Sequence, residues 1–241
     1  MLSHRILRQP PRRLLRRRPS VFACFSYRYD AHLVPALLEN LAPIVHGWVA
    51  LDDRGSSSVV TDEVARRRLL IARARALGAD WVLAVDPDER FEDQLAERMP
   101  ALLEAPRRVA WTFNCRELWT ADHYRVDGIW GRKRIGRLFA PADGQRFTEE
   151  LHHGPWYPLE PAPELRHSDL NFYHLKMILP ARRRARRDLY KRLDPERRWQ
   201  SIGYDYLADE SGLVLEAIPA GRGYHPPHRE DGGLWMAEPA P

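Results

Sequence analysis

Trp81-Val82-Leu83-Ala84-Val85-Asp86-Pro87-Asp88-Glu89-Arg90 runs from an apolar segment straight into a cluster of acids. Its first five residues form a short continuous apolar run with aromatic and β-branched members, the composition of a buried strand. Pro87 cannot donate to a ladder and ends the strand there. Asp86 and Asp88 are two residues apart, and on an extended segment such residues project to the same side. The pattern predicts two carboxylates leaving the edge of a sheet together. Paired hard oxygen ligands suit Mg²⁺ or Mn²⁺, which keep water and take further ligands from substrate phosphates. A solvated loop with Asp88 capping the next helix is the competing reading. A calcium loop is excluded, because Arg90 and Phe91 stand where that motif needs an oxygen ligand and a glycine.

Upstream, the run Val21 to Tyr27 reads as a buried strand. A helix follows over 31–41, with Leu33, Leu37, Leu38 and Leu41 at helical spacing, and Pro43 closes it. A second strand over 44–51 ends in Asp52-Asp53 and a Gly-Ser-Ser-Ser loop. Thr61 then caps a long helix that passes through Val64, Leu69, Leu70, Ala74 and Leu77 to Gly78. Downstream of the acidic motif come a helix to about Leu103 and a strand over 109–114. Three strand–helix units with right-handed crossovers predict a parallel sheet covered by helices, with ligands at the carboxyl ends of its strands. Asp52, Asp53, Asp86 and Asp88 sit at those ends. Beyond residue 115 the pattern is less regular and rich in aromatics, Gly and Pro. A last helix, about 180–193, carries Arg182, Arg183, Arg184, Arg186 and Arg187.

The chain has 241 residues, 44% of them hydrophobic, ample for a packed core. Its net charge of +5 comes from 38 Lys and Arg against 33 Asp and Glu. Residues 1–18 hold seven arginines and no acid, so the remainder carries 31 basic against 33 acidic residues, a balance of −2. The basic excess belongs to that stretch, which argues against a nucleic-acid-binding body. The stretch reads as a disordered tail, with a transit peptide or a lipid-head-group anchor as the alternatives. Only Lys133, Lys176 and Lys191 are lysines, so arginine clusters reflect a general arginine bias. Cys24 and Cys115 do not make a disulfide scaffold or a Cys-rich zinc module, which points to a reducing compartment. No run approaches the roughly 18 apolar residues of a membrane span, and no apolar segment of a secretory signal follows the first arginines. The expected location is cytoplasmic, with room for contact at the inner face of an anionic membrane through the tail and the 180–193 helix.

The order of strand, Leu51-Asp52-Asp53-Arg54, Ser56-Ser57-Ser58, Arg-bearing helix, Ala79-Asp80-Trp81-Val82-Leu83 and Asp86-Pro87-Asp88-Glu89-Arg90 resembles the nucleotide-sugar half of glycosyltransferase family 2, of GT-A fold. The likeness covers residues 20–115 and continues loosely through Arg137-Leu138-Phe139, His152-His153-Gly154 and His174. It implies an α/β, Rossmann-type three-layer sandwich with a mostly parallel central sheet. The domain would span 19–218, with a nucleotide-sugar half over 19–115, a loop-rich acceptor half over 116–218 and a loose end over 219–241. The implied activity is metal-dependent, inverting transfer of a sugar from a nucleoside diphosphate donor to a glycan, lipid-linked or other hydroxyl acceptor.

On that reading Asp88, with Asp86 beside it, holds Mn²⁺ or Mg²⁺, which stabilises the departing diphosphate. His174 resembles a late histidine that completes the metal shell, a core histidine being the alternative. Asp52, with Asp53 as alternate, meets the nucleoside, and Arg67 or Arg68 faces the phosphates, against a solvated helix face. Inversion needs a general base near the acceptor hydroxyl. Glu149, Glu150, His152 and His153 offer candidates in one segment, and Glu150 is the choice. Trp156 is a weak candidate for stacking on a sugar, and His225 with His228 reads as tail. Two other classes remain in view. A sugar nucleotidyltransferase uses a similar sheet, but the segment Phe25 to Asp30 lacks its glycine-rich phosphate loop. A basic protein binding nucleic acid or membrane would act through residues 1–18, and its binding would fall steeply with salt.

Overall fold

The computed structural model describes residues 1–8, 19–55, 63–149 and 154–229. Strands β1 (Leu2–Ile6), β2 (Val21–Tyr27), β3 (Gly47–Asp52), β4 (Trp81–Ala84), β5 (Glu89–Phe91), β6 (Val109–Glu117), β8 (Arg134–Phe139) and β9 (Glu164–His174) form one sheet, in the order β1-β3-β2-β4-β8-β6-β9-β5. β7 (His123–Arg125) and β10 (Leu215–Ala217) pair separately. The helices are α1 (Val34–Leu41), α2 (Glu63–Ala76), α3 (Gln94–Leu102) and α4 (Pro180–Leu193).

The predicted parallel trio is present: β2 runs parallel to β3 on one side and to β4 on the other. Alternate residues of its strands serve two cores. Val21, Ala23, Phe25, Trp81 and Leu83 pack with Leu37 and Leu41 of α1 and with Leu95 and Met99 of α3. Phe22, Cys24, Val82 and Ala84 pack with Leu70, Ile71 and Ala74 of α2. The period of two sends successive side chains to opposite faces, so both faces of these strands are apolar and both are covered.

The sheet as a whole is mixed rather than mostly parallel. The β2–β3, β2–β4 and β6–β9 ladders are parallel, whereas β1–β3, β4–β8, β6–β8 and β5–β9 are antiparallel. The sheet is also curled. Glu89 N–H donates to Asp86 O at 2.9 Å, so residues 86–89 make a turn with Pro87 at its favoured second position. This turn leads from β4 directly into β5, four ladders away in the sheet order. A flat sheet would separate those strands by roughly 19 Å, farther than so short a turning segment reaches.

Two expectations about the chain ends are corrected. Residues 2–6 are not disordered but pair with β3, from Leu2 opposite Leu51 to Ile6 opposite Gly47. The edge of β3 was open and β1 supplies its missing partners. Of the arginine-rich stretch, residues 9–18 lie outside the described residues. At the other end, residues 219–228 are not a loose tail. Arg222 pairs with buried Glu92 at 2.8 Å, Tyr224 stacks on Tyr173 with ring centroids 5.2 Å apart, and His225 meets Glu39 at 3.4 Å. Among the described residues no helix is long and apolar enough to cross a membrane.

Candidate functional site

The carboxyl ends of β2, β3, β4, β6 and β9, together with the amino end of antiparallel β8, lie along one edge of the sheet. A cavity of about 630 Å³ opens there, lined by eight basic and six acidic side chains together with His174. So dense a mixture of both signs differs from the mostly apolar lining of common small-molecule sites and suits a highly charged ligand.

The β4–β5 turn separates the two acids of the acidic motif. A turn, unlike the extended segment expected, does not hold residues two apart on one side. Asp86 stays 43% exposed and accepts from Arg137 Nη2 at 3.0 Å. Asp88 is buried, with Oδ1 3.2 Å from His174 Nε2 and Oδ2 3.5 Å from Arg186 Nη2. Backbone pairing brings His174 there: Glu89 is opposite His174 in the β5–β9 ladder, and Leu175 N–H donates to Asp88 O at 2.7 Å. Both acids act on Asp30, which follows β2. Burial, then the charge of Asp88 and more weakly that of Asp86, pushes the Asp30 carboxyl up to about 7. Neither Asp30 nor Glu89 was singled out from sequence. An acid just beyond a strand of the parallel trio was the available signal for Asp30.

Behind His174 the network continues inward. Nδ1 is 3.2 Å from Glu117 Oε2, though off the line of a hydrogen bond. Glu117 Oε1 meets Lys133 Nζ at 2.8 Å and Lys176 Nζ at 3.4 Å. Burial and Lys176 oppose the His174 cation, yet Glu117 and Asp88 prevail and raise its pKa well above the usual imidazole value. Burial works against charge on Asp88 and Glu117 too. It is outweighed at Asp88 by His174, Arg186 and Lys176, and at Glu117 by Lys133, Lys176 and His174, so both carboxyls lie below their usual range. Glu89 is fully buried against Arg137, and burial pushes it up to about 7.

Cation ligands are available in two arrangements. Asp88 Oδ1 and His174 Nε2, 3.2 Å apart, have the spacing of two atoms sharing an edge of an octahedron, about 3.0 Å for bonds of about 2.1 Å. His174 ligates only as neutral imidazole, so a dication here would displace the proton that Asp88 and Glu117 favour; on those terms Asp88, His174 and partly exposed Asp86 suit Mg²⁺ or Mn²⁺. Cys115, Glu117 and His174 also bring ligand atoms within 4.8 Å of one another. There, however, two ammonium groups already compensate the carboxylate, so that trio fits a dication less well.

The other expected residues divide sharply. Asp53, not Asp52, lines the cavity, held by Arg66 at 2.9 Å. Asp52 turns outward, its two oxygens taken by Arg54 at 2.9 and 2.6 Å. Arg67 is no solvated helix residue: it is buried, bonded to Glu63, donates to Gly154 O at 2.9 Å, and lies 5.2 Å from the Trp156 ring centroid. Arg68 is exposed and pairs with Glu149. Trp156 lines the cavity beneath Arg67 and belongs to the core packed on α2. Gly136 on β8 leaves room for Tyr157, whose ring would stand 2.5 Å from an added Cβ. Trp119, Tyr124 and Trp130 are core. Glu150, His152 and His153 lie outside the described residues. No protein-family model matches this chain, and a search of curated proteins finds no match either.

Proposed function

We propose that this chain is a GT-A-type, metal-dependent inverting glycosyltransferase that takes a sugar from a nucleoside diphosphate donor. The observation that carries this reading is the position of the charged cavity: it opens where the parallel strands β3, β2 and β4 end, with Asp53 at one end strand and the Asp86–Asp88 turn at another. Ligands of open α/β sheets bind outside the carboxyl ends of their strands. Apolar cover on both faces of these strands supports a layered arrangement of the GT-A kind.

Asp53, fixed by Arg66, is the acceptor for hydroxyl or amide donors of the nucleoside. Arg67 presents a cation to the phosphates from a position locked by Glu63 and Gly154. Asp88, Asp86 and His174 would hold the divalent ion, which when bound supplies Lewis-acid stabilisation of the departing diphosphate. Arg186 and Arg137 add fixed positive charge beside the same acids. Glu150 is assigned the base that takes the acceptor's proton.

A thermal-shift screen of nucleoside diphosphate sugars with and without Mn²⁺ tests the reading. One donor is expected to stabilise the protein only with the metal, by about 2.7 kcal/mol at a hundredfold excess over Kd. Asp88→Asn should retain the circular dichroism of the parent, abolish that metal-dependent gain and lower sugar transfer at least 100-fold. Unchanged turnover in this variant overturns the proposal.

A further inference from the structure

Two of the chain's three lysines, Lys133 and Lys176, converge on a single carboxylate oxygen of Glu117, although 38 residues of the chain are Lys or Arg. They come from distant places, one just before β8 and the other just after β9. Glu117 is wholly buried and supplies one negative charge to two ammonium groups. Among the described residues neither lysine has another carboxylate within ion-pair distance. Around Glu117 the charges are one negative against two positive, Lys133 and Lys176, before His174 is counted. Surplus positive charge beside a buried network is costly unless an anion meets it.

Both lysines line the cavity. An ammonium has three protons and no fixed plane, so it can give one to Glu117 and still present others to a ligand. A guanidinium fork is less able to divide itself that way. The pair stands at the strand ends of the second half of the chain, whereas Asp53 and Arg66, assigned to the nucleoside, stand at β3 and α2.

We propose that Lys133 and Lys176 bind an anionic group, phosphate or carboxylate, carried by the acceptor. The word acceptor rests on the glycosyltransferase reading; the anion site rests on the lysines alone. Glu117 holds the two ammonium groups together, and the ligand anion supplies the charge that Glu117 lacks. The acceptor is therefore a phosphorylated or acidic hydroxyl compound rather than a neutral glycan.

Inorganic phosphate and glucuronate serve as probes, titrated calorimetrically in a chloride buffer with and without Mg²⁺ and the nucleoside diphosphate that stabilises the protein best. One of the two anions should bind saturably, and its Kd should change less than twofold when the nucleotide is present. Lys133→Met and Lys176→Met should each weaken it at least tenfold. Each leaves the other ammonium on Glu117, so the fold is kept. Lys191→Met, which removes a lysine paired with Asp205 at 2.6 Å on α4, should have no effect. Absence of binding by both probes, or binding indifferent to the lysine variants, overturns the proposal. Competition with the nucleotide also overturns it, because the lysines then serve the donor's diphosphate. Lysine-dependent anion binding in a protein that binds no nucleoside diphosphate leaves the anion site standing and removes the glycosyltransferase reading instead.

Discussion

Asp30 shows how one residue's chemistry depends on neighbours that are remote in sequence. Its carboxyl is pushed up to about 7 by burial first and then by Asp88, 58 positions along the chain. The folded state therefore keeps a proton between about pH 4 and 7 that the unfolded chain has lost. Stability contributed by this group is full at the acid end, falls as pH rises through that window, and is gone above it. A shift of about three units corresponds to roughly 4 kcal/mol, of which relaxation of nearby charges leaves on the order of 2 kcal/mol. Asp30→Asn has no proton to lose. Its stability relative to the parent, from urea denaturation, should rise between pH 4.5 and pH 7.5 by about 2 kcal/mol. Glu89 titrates alike in both proteins and cancels in the difference. A flat difference would mean that neither burial nor the neighbouring acids raise the Asp30 carboxyl. At this scale the sequence located Asp53, Asp86, Asp88 and His174 on one cavity but misplaced Asp52. Which of two adjacent acids turns inward depends on Arg54 and Arg66, and strand spacing does not fix that.

Helix α4 was legible as an element and illegible as a surface. Its bounds, Pro180–Leu193, are those expected, because Pro at the first helical position is a local signal. Its arginines read as a basic face for solvent or lipid, yet Arg182 and Arg183 are buried and Arg186 points to Asp88. Arg183 lies 4.1 Å from the centroid of the Trp119 ring and pairs with Glu210 at 2.8 Å, while Arg125 lies 4.7 Å from the same ring centroid. Arg183→Ala removes both contacts and the packed stem, and should destabilise by about 2–3 kcal/mol in chemical denaturation. Arg184→Ala, at an exposed position, should stay within about 0.5 kcal/mol. Equal effects would return the helix to the solvated reading. Strand β1 was missed for the opposite reason: its arginine-rich surroundings concealed a five-residue strand that forms only because β3 offers an open edge.

Across the whole molecule, the two halves of the chain share one sheet. β8 inserts between β4 and β6, and β5 from the first half pairs, among the described residues, only with β9 from the second. The segment over 219–228 then fastens the second half to α1 and α3, through His225 O to Asn40 and Gly221 O to Gln94. A fragment over 19–115 should consequently lack a cooperative thermal transition, whereas the full chain should melt in one step by calorimetry. An independently folding fragment would contradict the shared sheet. The parallel trio, its helices and the acids at its strand ends were legible locally, because apolar periodicity, caps and Pro or Gly stops act within a few residues. The antiparallel insertions, the curl that carries Asp88 to His174, and the meeting of Lys133 and Lys176 on Glu117 emerge only in the folded chain. Those features arise from pairing between strands far apart in the chain, and from the need of buried charges for partners that local sequence cannot name.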